Sequence, residues 1–279
     1  MPRFLIAFVL SLTLGSTPVF AAEAEIVVDA NNRSVLEARN ADIRIRPASL
    51  TKMMTLYLTF EALGRGKLQW DEQIPISKNA AGAVPYKLGI PAGGTITVRE
   101  AVNGIIVISA NDAAIALGER LGRTERNFAA MMTAKARQLN MTSTTFATAT
   151  GLTADGQFTT ARDMAVLGMA LMHHFPRQFP MFAMKTTTFR GKVLKGHNYV
   201  LDMYPGADGL KTGYTSASGY NLVTSVHKNG RRYVGVVLGY PTDKARDQEM
   251  VDLLRRAIDG RSAAGAANAP RLDGAVGLY

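Results

Sequence analysis

The chain has 279 residues, 47% of them hydrophobic and 19% charged, with mean hydropathy +0.02, a balance that excludes the disordered and fibrous classes. It contains no cysteine, so disulfide scaffolds, thiolate metal sites and cysteine nucleophiles are excluded, and covalent catalysis falls to Ser, Thr or Lys. The net charge is +10, but Lys and Arg alternate with Asp and Glu, as from Lys244 to Arg256, which favours an anionic polymer or surface as partner over nucleic acid.

Arg3, the apolar run 4–14 and Val19-Phe20-Ala21 read as a secretory signal segment over residues 1–21, cleaved near Ala21, with an uncleaved N-terminal anchor as the alternative. The apolar run is shorter than the ~20 residues of a bilayer span, and either case places the protein outside the cytoplasm, in the periplasm or its equivalent. Residues 26–30 and 34–38 read as a β-hairpin turned at Asn31-Asn32. The run 48–63, closed by Gly64, carries charge only at Lys52 and Glu61 and predicts a helix buried in the core. Ser77 is followed by loop-like residues.

Thr97-Val98-Arg99-Glu100 is a capping box opening a helix to about Ile108, and Asn111 or Asp112 is placed to cap the next, through Leu121. Further helices are expected over 126–139 and 160–173, separated by a long Thr-, Ala- and Gly-rich loop over 142–157. Strands follow over 186–193, 209–212, 220–227 and 231–240, the last two joined by the hairpin signal Asn229-Gly230. A helix over 244–258 closes the fold, and the Ala- and Gly-rich stretch 261–279 reads as a flexible tail. Strands at both ends with helices between predict an α/β fold: one two-lobed domain over 22–260, an antiparallel sheet completed by the two termini and flanked by helices, with an inserted helical lobe.

Three patterns occur in order: Ser49-Leu50-Thr51-Lys52, Ser109-Ala110-Asn111 and Lys211-Thr212-Gly213. Singly they carry little information, because Ser225-Val226-His227-Lys228 and Ser77-Lys78-Asn79 repeat the first two. Ser225 falls in a predicted strand, where residues three apart face opposite sides. Ser49 and Lys52 stand at i and i+3 on the first turn of a buried helix and share a face, which suits a serine nucleophile and a neutral lysine base. Holding that amine neutral at pH 7, from an ordinary pKa of ~10.4, takes roughly 4.6 kcal/mol of differential stabilisation. Burial and a second cation both push that way, and Lys211 is the candidate cation. The structural alternative has Ser49 capping the helix while Lys52 snorkels to the surface.

Ser109 and Asn111 fall between two helices, where they serve either as backbone caps or as a proton relay and a substrate-orienting amide. Lys211 offers a charge for a carboxylate, Thr212 a hydroxyl beside it, and Gly213 room for a peptide to approach the strand.

Taken jointly, with Gly151-Leu152, 160–165 and 208–215, the ordered set resembles the penicillin-recognising serine enzymes and, more narrowly, the D-alanyl-D-alanine carboxypeptidase family of low-molecular-mass penicillin-binding proteins. The likeness spans about 25–258. It implies a β-lactamase/transpeptidase-like fold and hydrolysis of the terminal D-alanine from peptidoglycan stem peptides through an acyl-enzyme that β-lactams trap. By that resemblance Ser49 is the nucleophile, Lys52 its base and Ser109 the proton relay. Asn111 holds the peptide, Lys211 with Thr212 and Gly213 grips the terminal carboxylate, and the N–H groups of Ser49 and Tyr214 form the oxyanion hole. Arg246 is a further candidate for the carboxylate.

Thr148-Ala149-Thr150 departs from the family's usual Asn-Pro-His-like stretch and puts that loop's geometry in question. No amphipathic anchor follows the tail, so membrane attachment is not expected. A class A β-lactamase needs a deacylating glutamate between the second and third motifs; residues 140–157 hold only Asp155, which predicts slow release of penicillin. A DD-endopeptidase that cuts cross-links stays open, and a non-catalytic peptidoglycan-binding role predicts a broken motif. No metal or other cofactor is expected, since His173, His174, His197 and His227 form no ligand pair and read as surface or helix-end residues. The methionines at 53, 54, 131, 132, 164, 169 and 172 read as packing.

Overall fold

The computed structural model describes residues 22–260 and 270–272; the expected signal segment and most of the expected tail lie outside the described residues. The chain opens with the hairpin of β1 (Ala24–Asp29) and β2 (Val35–Arg39), whose turn is held by side-chain acceptors: Asp29 takes the Asn31 N–H and Asn32 the Ser34 N–H. The helix expected over 48–63 is two elements. A 3-10 turn at Ala48–Thr51, closed by an i to i+3 bond from the Leu50 N–H to the Pro47 carbonyl, tightens the entry to α1 (Lys52–Gly64). Leu50, Met53, Met54, Leu56 and Phe60 are fully buried, at about 1.5–3 kcal/mol each, so α1 is the axis of the core.

The inserted lobe begins with β3 (Gln73–Pro75), α2 (Lys78–Gly82) and β4 (Thr95–Thr97). The two three-residue strands pair with each other and are too short to show alternation. Residues 78–82 are helical rather than loop, because Ser77 Oγ accepts the Ala80 N–H at 3.0 Å and starts the turn. The expected capping box is present: Thr97 accepts from the Glu100 N–H and Glu100 from the Thr97 N–H, opening α3 (Val98–Ile108). Then come α4 (Asn111–Gly122), α5 (Glu125–Gln138) and α6 (Ala161–His174).

The single strand expected over 186–193 is a hairpin instead. β5 (Thr186–Phe189) and β6 (Lys192–Lys195) turn at Arg190-Gly191, both at positive φ, the geometry of a tight two-residue turn that the local Thr and Val content hides. α7 (Val200–Met203) leads into β7 (Ala207–Thr215), β8 (Gly219–Lys228), β9 (Arg231–Tyr240) and α8 (Asp243–Leu254), which ends in a π-turn at Arg255–Asp259.

The main sheet runs β2-β1-β9-β8-β7, all antiparallel, so the chain's two ends complete it and the helical lobe is inserted between them. Strand alternation sends Ile26, Val28, Val234, Val236 and Leu238 toward α1 and α6, and Val27, Leu222, Tyr233 and Val237 toward α8. The sheet is thus covered on both faces, and β7 is left at an edge against the helical lobe. Pro270–Leu272, the described part of the expected tail, lie along the opposite edge: the Val35 N–H bonds the Pro270 carbonyl, the Leu272 N–H bonds the Arg33 carbonyl, and Leu272 is buried. Among the described residues no helix is long and apolar enough to cross a membrane. Met131 departs from the packing role expected of it, being exposed on α5.

Candidate active site

Ser49, Ser109, Asn111, Thr212, Gly213, Tyr214 and Arg246 line one cleft of about 340 Å³ between the helical lobe and the β7 edge. Lys52 and Lys211 lie beneath it, 0% and 2% exposed. All nine residues singled out in the sequence therefore converge from the first helical turn, the α3–α4 junction, β7 and α8.

Lys52 Nζ stands 3.0 Å from Ser49 Oγ and donates to the Thr150 carbonyl at 2.8 Å. The snorkelling alternative is thereby excluded, as is Ser49 as a cap, since the turn it occupies has no side-chain cap. Burial first, and the Lys211 charge second, hold the Lys52 amine well below the ordinary lysine range. Among the described residues no carboxylate bonds it. The neutral form needed of a base is the form this surrounding favours.

The loop that carries Thr150 is pinned from three sides. Thr55 donates to the Ala149 carbonyl at 2.7 Å, Gln157 Oε1 accepts the Ala147 and Thr148 N–H groups, and Gly151 sits at φ +83° with its Cα pressed on the Ala48 carbonyl, where a Cβ would stand 1.7 Å from the oxygen. Only glycine fits there. Thr148-Ala149-Thr150 thus presents a main-chain acceptor to Lys52, and the Thr148 and Thr150 hydroxyls brace the loop by accepting the Gly151 and Leu152 N–H groups.

Ser109 ends α3 in the left-handed region at φ +61°, an uncommon conformation for a residue with a Cβ, and its hydroxyl has no hydrogen-bond partner among the described residues. The expectation that Asn111 or Asp112 caps α4 is corrected: the N-cap is Ala110, without a side-chain cap. Asn111 instead donates its amide to the Pro85 carbonyl at 2.7 Å, leaving its buried Oδ1 without a partner among the described residues. Asp112 accepts the Leu88 and Gly89 N–H groups. Both are spent on positioning the loop that brings Tyr86 to the cleft, because a backbone acceptor at Pro85 takes the Asn111 amide and backbone donors at Leu88 and Gly89 take the Asp112 carboxylate in place of the helix end.

At the opposite wall, Gly213 lets β7 close on the serine turn: a Cβ there would lie 3.0 Å from the Ser49 nitrogen and 3.1 Å from that of Leu50. Lys211 donates to the Thr212 carbonyl at 2.9 Å, and burial together with Arg246 pushes it down to about 7. Arg246 is itself buried and paired with Asp247 at 2.7 Å. Among the described residues Lys211 and Arg246 thus have a single carboxylate partner between them, Asp247.

Tyr86, Tyr199 and Tyr220 also line the cleft; no sequence signal marked them, since single aromatics in a loop, at a helix start or at a strand start carry no period of their own. His197, read as a surface residue, belongs to the cleft as well. Its ring meets that of Tyr86 edge-on with centroids 5.5 Å apart, and burial, then Lys211 and Arg246, keep it below its ordinary pKa. The two decoys are spent elsewhere: Ser225 donates to Asp208 at 2.6 Å and Lys228 to Asp259, while Ser77 caps α2. Among the described residues no group of His, Asp or Glu could hold a metal ion.

An antiparallel sheet covered by helices on both faces, with a Ser-x-x-Lys turn, an inter-helix Ser-x-Asn and an edge-strand Lys-Thr-Gly meeting in one cleft, defines the fold class of the penicillin-recognising serine enzymes. The chain belongs to the D-alanyl-D-alanine carboxypeptidase family, whose model matches residues 13–242. It is 38% identical over 244 residues to D-alanyl-D-alanine carboxypeptidase DacC of Escherichia coli, covering 85% of this chain and 61% of that one. It spans about three fifths of the length of this relative and of DacF from Bacillus subtilis. Among solved structures, penicillin-binding protein 5 from Haemophilus influenzae matches with TM-score 0.80 and 34% identity, over 86% of this chain and 72% of that chain. Penicillin-Binding Protein D2 from Listeria monocytogenes, in its ampicillin-bound form, matches with TM-score 0.75 and 33% identity, over 83% and 96%.

Proposed function

We propose that the protein is a serine DD-carboxypeptidase that removes the terminal D-alanine from peptidoglycan stem peptides and is covalently inhibited by β-lactams. The observation that carries this reading is the 3.0 Å approach of the buried Lys52 amine to Ser49 Oγ at the floor of a cleft with a cationic end. In the reaction, Lys52 Nζ takes the Ser49 proton as Oγ attacks the carbonyl of the penultimate D-alanine. The oxyanion is held by the N–H groups of Ser49 and Tyr214, each donor of this kind contributing about 3 kcal/mol to transition-state stabilisation. The C–N bond breaks, the leaving amine takes the proton by way of Ser109, and the terminal carboxylate rests on Lys211, Thr212 and Arg246, with Gly213 giving the peptide room along β7. Asn111 Oδ1 accepts from the peptide's N–H. Water then hydrolyses the ester.

The cleft's one carboxylate among the described residues is Asp243, exposed at its rim, so nothing on its floor activates water quickly against a penicilloyl ester. This supports inhibition rather than turnover of β-lactams. The signal segment and location outside the cytoplasm belong to the same reading, since peptidoglycan lies there. The test is a fluorescent penicillin and a stem pentapeptide offered to the wild type and Ser49→Ala. Labelling at Ser49 and D-alanine release, both lost in the variant, are expected; labelling at another residue would overturn the assignment.

A further inference from the structure

Thr150 offers Lys52 its main-chain acceptor at 2.8 Å while the same amine stands 3.0 Å from Ser49 Oγ. A neutral amine has a single lone pair, and an N–H committed to a fixed carbonyl sets where that pair points. The placing of the Thr150 carbonyl therefore governs how well Lys52 takes the serine proton. Whatever holds that carbonyl serves the reaction without touching substrate.

Over 147–152 the loop satisfies its N–H groups largely from within. Gln157 accepts those of Ala147 and Thr148, Thr148 that of Gly151, and Thr150 that of Leu152. The Ala149 N–H, one residue before the acceptor of Lys52, goes elsewhere: it donates at 3.0 Å to Oε1 of Glu125, on α5. Glu125 is the one charged acceptor in this set, and a hydrogen bond to a carboxylate is roughly twice as strong as one between neutral groups.

Glu125 is itself held in place. It is the first residue of α5, behind the N-cap Thr124, where a helix end favours negative charge. Its other oxygen accepts from Asn79 at 3.2 Å, the asparagine of the second Ser-x-Asn. α4 and α5 pack so closely that a Cβ on Gly122 would stand 2.6 Å from the Phe128 nitrogen, and one on Gly118 would stand 3.1 Å from the Ala149 Cβ. Carboxylate, helix pair and loop are thus fixed to one another. Ala149 is clamped on both sides, its N–H by Glu125 and its carbonyl by Thr55 of α1 at 2.7 Å.

We propose that Glu125 is a positioning residue for acyl transfer at Ser49: by holding the Ala149 N–H it keeps the Thr150 carbonyl aimed at Lys52, and so keeps the base aligned on the serine hydroxyl. It lies outside the cleft lining, and no proton passes through it. The inference rests on the reading of Ser49 and Lys52 as nucleophile and base, and adds to it a residue that none of the three motifs contains.

The test follows single-turnover acylation by a fluorescent penicillin, over a range of concentrations, in the wild type, Glu125→Ala and Glu125→Gln, with steady-state D-alanine release beside it. Glu125→Ala is expected to lower the acylation rate constant and kcat about tenfold, less than the ~10²-fold of a full 1 Å misplacement, with the Kd for penicillin and KM within about twofold. Glu125→Gln, whose amide oxygen still accepts the Ala149 N–H, is expected to bring the rate back to within about threefold of the wild type. A role in stability alone would shrink the fraction of protein that labels and leave the rate constant of that fraction unchanged, and this result overturns the proposal. A loss confined to Kd and KM overturns it as well, and so does Glu125→Gln as slow as Glu125→Ala. If Glu125→Ala does not fold, Glu125→Asp decides, since it keeps the charge at the head of α5 but is one methylene short of the Ala149 N–H: acylation slowed about fivefold or more is expected, and a wild-type rate contradicts the proposal. A wild type that neither labels at Ser49 nor releases D-alanine sinks the underlying reading instead of the role of Glu125.

Discussion

Ser49-Leu50-Thr51-Lys52 and Ser225-Val226-His227-Lys228 have the same pattern and opposite fates. On the first helical turn the hydroxyl and the amine meet at 3.0 Å, the lysine is fully buried, and burial with a nearby cation lowers its pKa. On β8 the hydroxyl bonds Asp208 and the amine bonds Asp259, whose hydrogen bond raises its pKa. Backbone period decides whether residues three apart can touch, and burial together with the sign of the neighbouring charge decides which protonation state they keep. The pair of residue types supplies neither.

The comparison is broken or sharpened by substitution at matched positions. Ser49→Ala should abolish penicillin labelling and lower D-alanine release by about 10⁴-fold or more, as loss of a nucleophile does, while Ser225→Ala should label normally and cost about 1–3 kcal/mol of stability, since it leaves the part-buried Asp208 carboxylate short of a donor. Full labelling of Ser49→Ala would break it outright. Lys52→Met should slow acylation by about 10²–10⁴-fold, the range for a general base; Lys228→Met should leave the rate within twofold and change the unfolding free energy by about 0–1 kcal/mol, as for a surface pair. Gly151→Ala removes no reacting atom but drives a methyl into the Ala48 carbonyl. It should displace the Thr150 acceptor of Lys52 and lower kcat by about 10²-fold, the scale expected of a 1 Å misplacement.

Lys211→Met should raise KM for a free terminal carboxylate by about 10–100-fold and stabilise the fold. With its pKa pushed down to about 7 in the fold and near 10.4 when unfolded, Lys211 binds one more proton unfolded than folded between those values. Wild-type stability therefore rises with pH across that window. Below about pH 7 the fold bears the full cost of the buried charge, about 5 kcal/mol at most, and the variant's gain in Tm should be largest there. Equal Tm values across the range would show that the charge is not buried as described. Ser77→Ala, at the second Ser-x-Asn, should cost about 1 kcal/mol in thermal unfolding and leave labelling unchanged.

Much of the fold was legible because the signals were local: the hairpin at Asn31-Asn32, the capping box at Thr97 and the turn at Asn229-Gly230 each sit in a few residues. The three motifs were legible because their order and their element types agreed. What stayed hidden depended on contacts far apart in sequence. Asn111 reads as a helix cap until the loop at Pro85 arrives to take its amide, and His197, exposed as its surface reading expects, is seen to line the cleft only once β7 and α8 bring Lys211 and Arg246 near it. Residues 186–193 have the composition of one strand, and only the paired positive φ values at Arg190 and Gly191 show the turn.

The central claim is that Lys52 is uncharged at neutral pH and acts as the base for Ser49. The rate of Ser49 acylation by penicillin, followed from pH 5 to 11, tests it. The titration is read as that of the coupled Lys52–Lys211 pair. The account predicts a rate that is already at its plateau near pH 8 and falls on acidification, with an apparent pKa far below that of free lysine. A rate that climbs steadily to pH 10 and above would contradict it, because it would place the proton on Lys52 throughout the physiological range.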